Sequence, residues 1–134
     1  MEEEEEYRVF TLSEARSLLP TVRLLISRVV REHKILSSMM EEVGRARENA
    51  DLNGGTPVGA AYLTHLVRFS DAAGRIQSLG ILIKDLQTGL VDFPYQHQGR
   101  TVYLCWRLGE EDIDWWHEIE AGFAGRHLLT DDFK

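Results

Sequence analysis

The feature of the sequence that most constrains the fold is an apolar seam that extends from Thr11 to about Ala50. Apolar side chains recur there at alternating steps of three and four residues, the spacing of one face of a helix, and one histidine lies among them. A long helix with such a face must bury it, so the rest of the chain has to cover the seam. The seam positions are Leu19, Val22, Ile26, Val29, His33, Leu36, Met40 and Val43.

A second apolar pattern follows a clear break at residues 51–55 (DLNGG) and continues to about Leu79. The short break predicts that the two helices pack antiparallel as a hairpin over residues 12–79. Pro20 lies inside the first helix, and because the seam keeps its phase across it we expect a kink rather than an end. Thr11 and Glu14 have the spacing of a capping box at the helix start. The second pattern consists of Tyr62, Leu66, Phe69, Ala73 and Ile76.

After Gly80 the apolar period shortens to two, which indicates strands. Three short runs predict an antiparallel meander over residues 81–107. They are residues 81–86 (ILIKDL), 90–93 (LVDF) and 100–107 (RTVYLCWR). A final short helix is predicted over residues 110–122, with three acidic residues in its first turn. The predicted fold class is α+β: a long antiparallel helical hairpin packed with a small three-stranded antiparallel sheet and a short C-terminal helix.

Length and charge limit the classes of protein that the chain can belong to. Its 134 residues suffice for one domain, predicted over residues 7–134, behind an acidic disordered tail at residues 1–6. The formal net charge is −7, of which the glutamates of the tail contribute −5. An acidic chain without a basic patch argues against nucleic-acid binding. No apolar run approaches the roughly 20 residues of a membrane span.

The single cysteine, Cys105, bears on the compartment. One cysteine cannot form an intrachain disulfide, which fits a reducing environment. The glutamate run is also unlike the basic start of a secretory signal. We therefore expect a cytoplasmic protein.

Several strings of the sequence resemble a bacterial family known as domain of unknown function 2203 (DUF2203). The strings are residues 10–20 (FTLSEARSLLP), 80–94 (GILIKDLQTGLVDFP), 99–110 (GRTVYLCWRLGE) and 116–126 (WHEIEAGFAGR). The resemblance spans nearly the whole chain and brings no established activity, substrate or cofactor. It implies that the three C-terminal strings, rather than the hairpin, carry what is particular to the family.

One group of side chains in the predicted last helix has the composition of a metal site. Glu110, Asp114 and His117 follow each other at steps of four and three, and so would share one helical stripe. An imidazole with carboxylates on one face is a plausible half-site for a divalent ion. The pattern is not the HExxH zinc motif, because residue 121 is alanine.

The strands carry charges that a plain core would not contain. Asp92 lies between Val91 and Phe93, and if it is buried it needs a partner such as Arg107 or Arg126. With Glu118, these residues predict a polar ligand-binding lining where the last helix meets the sheet: Asp92, Arg107, Glu118 and Arg126. A competing interpretation makes His117 a half-buried residue bonded to a carboxylate such as Asp92. Cys105 is predicted to be a small core residue, and His65 and His97 surface residues.

Two functional hypotheses remain at this stage. No phosphate-binding glycine loop and no G-x-S-x-G nucleophile motif occurs in the sequence, so no reaction class is assigned. The first hypothesis is a non-catalytic interaction module that forms a homodimer through its helical hairpin. The alternative is a binding protein or an enzyme that holds a divalent metal or a small ligand between the meander and the last helix.

Overall fold

A computed structural model describes residues 8–49 and 58–133 of the chain. The predicted acidic tail at residues 1–6 and the break at residues 51–55 lie outside the described residues. The helices are α1 (Leu12–Asn49) and α2 (Val58–Ser78). The strands are β1 (Leu82–Asp85), β2 (Leu90–His97), β3 (Arg100–Arg107), β4 (Trp115–His117) and β5 (His127–Leu128). Short 3₁₀ turns lie at Phe123–Gly125 and Asp131–Phe133.

The first helix starts with the predicted capping box. The Glu14 backbone N–H donates to Thr11 Oγ1 at 3.0 Å, and the Thr11 N–H donates to the Glu14 carboxylate at 3.1 Å. The helix then continues through Pro20 to Asn49, 38 residues in all. At about 1.5 Å per residue it is about 57 Å long, much longer than any other element.

The two helices form the predicted antiparallel hairpin. His65 of α2 contacts Glu32 of α1, and Phe69, one turn later, contacts His33. The C-terminal end of α2 reaches Leu25, so the order along the two helices is opposite. One prediction about the buried face of α2 is wrong: Leu66 is 37 % exposed, and the half-buried His65 faces α1 instead.

The sheet contains five antiparallel strands in the order of the chain, where three were predicted. One additional strand, β4, lies within residues 110–122, where the predicted C-terminal helix is wrong, and the other, β5, follows that segment. Trp115–His117 is strand β4, and it pairs with β3. Aromatic residues favour strands, and a helix here would have left the outer edge of β3 without a partner. The α+β class is unaffected.

The core lies between α1 and one face of the sheet. Val22, Ile26 and Val29 of α1 are fully buried in one apolar cluster, together with alternate residues of the strands. These strand residues are Val91, Phe93, Val102, Leu104 and Trp106. Since side chains alternate across a strand, the residues between them point to the opposite face. Neither described helix is long and apolar enough to cross a membrane.

The turn between β1 and β2 approaches α1 closely at Gly89, which has a φ of 73°. A Cβ atom there would lie 2.9 Å from Leu108 Cβ and 3.2 Å from Val30 Cγ2. Gly99 has a similar φ of 80°, but a Cβ there would meet nothing within 4 Å. Substituting either glycine by alanine strains a left-handed backbone, but only at Gly89 does the added Cβ also clash with neighbouring side chains.

We predict that Gly89→Ala destabilises the protein more than Gly99→Ala, by about 1–3 kcal/mol, because only the first substitution forces α1 and the sheet apart. The free energies of unfolding from urea denaturation measure the difference. Equal losses for the two variants would show that the turn does not limit the packing of α1.

Candidate functional site

Three neighbouring strands place Asp92, Cys105 and His117 together on the sheet face that points away from α1. Asp92 of β2 is paired with Cys105 of β3, and β4 places His117 opposite Tyr103, two residues from Cys105. The three side chains are at most 2 % exposed, and their potential ligand atoms all lie within 4.8 Å of one another. The Tyr103 ring packs against the His117 ring at 5.5 Å.

Both ring nitrogens of His117 make hydrogen bonds. Nδ1 lies 2.6 Å from the Glu118 carbonyl oxygen, and Nε2 lies 3.0 Å from each oxygen of the Asp92 carboxylate. A carbonyl and a carboxylate are acceptors, so both nitrogens donate and the ring is an imidazolium. Burial alone would lower the pKa of His117, but the hydrogen bonds to Asp92, to Cys105 and to the Glu118 carbonyl raise it to about 10. The site is therefore a buried ion pair beside a thiol.

A second ion pair borders the cysteine. The Arg126 guanidinium binds the Glu110 carboxylate in a bidentate manner, at 3.0 and 2.9 Å. It also lies over the rings of Trp115 and Phe123, at 4.6 and 4.3 Å from their centroids. Its Nη1 atom is 3.9 Å from Cys105 Sγ. A paired guanidinium therefore lies directly beside Cys105.

The residues predicted as a metal site are not brought together. The helical stripe that grouped Glu110, Asp114 and His117 does not exist, because residues 115–117 form a strand. Glu110 binds Arg126, Asp114 is exposed, and His117 lies in the buried cluster. In the described ranges, the group of three potential metal ligands consists of Asp92, Cys105 and His117.

The predicted ligand-binding residues also separate. Arg126 borders the cluster of which Asp92 is a member, as described above. Glu118 lies on the outside of the sheet, in an ion pair with Arg100, and the exposed Arg107 lies 4.9 Å from the centroid of the Phe123 ring. The hydrogen bond expected between His117 and Asp92 is present, and neither Arg107 nor Arg126 takes its place. A ligand-binding role for the four residues stays a prediction.

Cys105 is the member of the cluster that the sequence did not identify as functional. It is fully buried, as predicted, but against a histidine and a carboxylate instead of apolar side chains. Strand alternation puts Cys105 on the same face of β3 as Tyr103 and Arg107. The missing information was the pairing of β3 with β4, which the predicted helix concealed.

The geometry argues against a cysteine nucleophile of the Cys–His–Asp type. In such a triad the histidine uses one ring nitrogen for the carboxylate and the other for the thiol proton. Here the second nitrogen, Nδ1, already donates to the Glu118 carbonyl. Neither nitrogen can therefore take the proton of Cys105 while Asp92 holds the ring, and charge pairing or metal coordination remains as the chemistry of the cluster.

A second buried carboxylate lies in the hairpin. Glu32 is 1 % exposed and binds His65 Nδ1 at 2.6 Å. Arg31 approaches the other carboxylate oxygen at 3.9 Å. The prediction that His65 and His97 are surface residues is wrong: His97 is buried, and His65 is half-buried in its pair with Glu32. This pair resembles the Asp92–His117 pair in its chemistry but has no cysteine beside it.

Comparison with known proteins gives one match. The model of a family described as "Uncharacterized conserved protein (DUF2203)" matches residues 8–129, which include both ion pairs and the whole sheet. No curated protein and no solved structure matches the chain. The family match confirms the resemblance seen in the sequence and brings no activity with it.

The Asp92–His117 pair makes stability depend on pH in a defined direction. The pKa of His117 is raised from 6.5 to about 10 in the folded protein, so its contribution is complete below 6.5 and is lost as the pH rises through about 10. We predict that the free energy of unfolding, measured with urea in buffer containing a chelator, falls over this range. His117→Gln should abolish this part of the pH dependence, and the control His65→Gln should keep it. An unchanged slope in His117→Gln would contradict the assignment.

Removing the carboxylate alone should be costly. We predict that Asp92→Asn lowers the free energy of unfolding by about 3 kcal/mol near neutral pH, because a buried imidazolium loses its counter-ion. Glu118→Gln, which removes an exposed ion pair, should cost less than about 1 kcal/mol. Urea denaturation of both variants measures the contrast, and a loss in Asp92→Asn no larger than that in Glu118→Gln would count against a buried charge pair.

Proposed function

Since the chain belongs to the DUF2203 family of uncharacterized conserved proteins, we propose a function from its own surfaces: a non-catalytic interaction module that forms a homodimer through its helical hairpin. The observation that supports the proposal is an apolar stripe on the outer side of α2. Leu63 is 61 % exposed, Leu66 37 % and Val67 66 %. Adjacent large apolar side chains with this exposure are typical of interaction surfaces.

The stripe lies on a part of the hairpin that the sheet does not cover. The last buried apolar residue of α1 is Leu36, and the first of α2 among the described residues is Ala72. Beyond these points the apolar residues whose burial is described are at most half-buried, as Met39, Val43 and Tyr62 are. Helices gain most of their stability from tertiary packing of an apolar face, so this distal part of the hairpin is incomplete as a monomer.

A second copy of the same chain fits this surface. Residues of α2 on one helical face are Gly59, Leu63, Leu66, Val67, Ser70 and Gly74. The glycines near its two ends have nothing within 4 Å of an added Cβ, so a second helix can approach there without a clash. A surface that is apolar in the middle and small at both ends is complementary to itself about a two-fold axis. Two hairpins related in this way form an antiparallel four-helix bundle.

The proposal extends to the setting in which the module acts. We place it in the bacterial cytoplasm, because its single cysteine is buried and forms no disulfide. The partner is a second protein chain rather than a nucleic acid, since the net charge of −7 would repel a phosphate backbone.

We predict that wild-type protein is a dimer at micromolar concentration and that the double variant Leu63→Glu/Val67→Glu is a monomer, because four carboxylates would have to be buried in the interface. Light scattering coupled to size exclusion measures the mass. The control is Leu24→Glu, since Leu24 is 58 % exposed but lies on α1 near Pro20. A monomeric wild-type protein, or a dimeric double variant, would contradict the proposed interface.

A further inference from the structure

We propose that Asp92, Cys105 and His117 form a binding site for one thiophilic divalent cation, with Zn²⁺ as the ion that fits best. The ligands are a carboxylate oxygen of Asp92, Sγ of Cys105 and Nε2 of His117, the nitrogen that faces Asp92. The site is independent of the proposed dimer interface, because it lies on the sheet and the interface lies on α2.

The donor set selects the metal. Zn²⁺ is bound in proteins by cysteine sulfur, histidine nitrogen and carboxylate oxygen, and this site offers one of each. Mg²⁺ and Ca²⁺ require oxygen ligands and would find a single carboxylate here. A thiolate with an imidazole favours the softer ions of the first transition row.

The orientation of His117 already meets the requirement for a metal ligand. Histidines that bind metal almost always donate the other ring N–H to a carboxylate or a backbone carbonyl, which holds the ring in place. His117 does this through Nδ1, at 2.6 Å from the Glu118 carbonyl oxygen. Arg126, held by Glu110, borders the site with its Nη1 atom 3.9 Å from Cys105 Sγ.

Zn²⁺ can replace two protons in this buried cluster without changing its net charge. Without metal the cluster carries one negative charge on Asp92, one positive charge on His117 and a neutral thiol. Binding of Zn²⁺ releases the Nε2 proton of His117 and the thiol proton of Cys105 to solvent, so two positive charges replace two protons. The net charge of the cluster stays at zero, and no additional charge has to be buried.

The distances require only a small adjustment. Donor atoms on a tetrahedral zinc ion lie about 3–4 Å apart, given bonds of about 2.0–2.3 Å. The three donors are already within 4.8 Å of one another, so any pair of them closes by less than about 2 Å. The three side chains come from paired strands, which keep their backbones at fixed separation. A water molecule fills the fourth position.

The experiment uses full-length protein that has been treated with a chelator, dialysed and titrated with Zn²⁺ in a calorimeter and with Co²⁺ in a spectrophotometer. We expect one equivalent of either ion to bind. Because Cys105 is the only cysteine in the chain, a thiolate-to-Co²⁺ charge-transfer band reports directly on its ligation. Cys105→Ser and His117→Gln should weaken Zn²⁺ binding at least about tenfold. His65→Gln is the matched control, since it breaks the other buried histidine–carboxylate pair and should bind Zn²⁺ normally.

Three results would overturn the proposal: no stoichiometric binding of Zn²⁺ by wild-type protein, unchanged affinity in Cys105→Ser, or a Co²⁺ complex without the charge-transfer band. The last measurement needs wild-type protein only, so it decides the question even if Cys105→Ser fails to fold. Neither titration depends on the oligomeric state, which is measured separately by light scattering.

Discussion

The packing of α1 against one face of the sheet is the constraint on which the rest of the structure depends. Val22, Ile26 and Val29 are fully buried against the strands, and the same cluster includes Phe93, Leu104 and Trp106. Because the inner face of the sheet is used in this way, strand alternation sends Asp92, Cys105 and His117 to the other face. The apolar core and the Asp92–Cys105–His117 cluster therefore lie on opposite faces of the same sheet.

The outer face would normally be polar and exposed in a sheet with one covered side. Here it contains a charge pair and a thiol that are nearly inaccessible, beneath Tyr103, Trp115 and the segment that carries Arg126. Buried charges are tolerated only with partners, and every buried side-chain nitrogen and oxygen in the described residues has one. The pair also joins β4 to β2 across β3 through side chains, which the backbone ladder alone does not do. A buried pair with this geometry can serve as a cross-link between strands, and with a neighbouring thiol it also has the donors of a metal site.

The limited reach of the sheet-covered core along the hairpin leaves the second proposed surface exposed. That core includes residues of α1 up to Val29 and residues of α2 from Ala72. Glu32 and His65 mark the transition, since they form a buried polar contact just beyond the sheet-covered core. From there outward, apolar side chains such as Met40, which is 56 % exposed, and Val67, which is 66 % exposed, face solvent in the single chain.

The sequence by itself determined the hairpin, the start of α1 at the Thr11–Glu14 box and the first three strands, because these follow from local periodicity and short-range hydrogen bonds. It also determined the family, through the resemblance of its strings. The second strand was predicted to end at Phe93, but β2 continues through Pro94 to His97 because its pairing with β3 continues there. The sequence did not determine the C-terminal part of the chain. The tryptophans and the histidine of residues 115–117 fit a helical spacing but also suit a strand, and the unpaired edge of β3 selects the strand. His65 and Leu66 show the same limit. The apolar spacing of α2 is also compatible with a helix turned by one residue about its axis, and the contact of His65 with the buried Glu32 decides which side of α2 faces α1. Only the tertiary structure could place Cys105 beside both Asp92 and His117, because that contact depends on the register of β2, β3 and β4 and the predicted helix concealed β4.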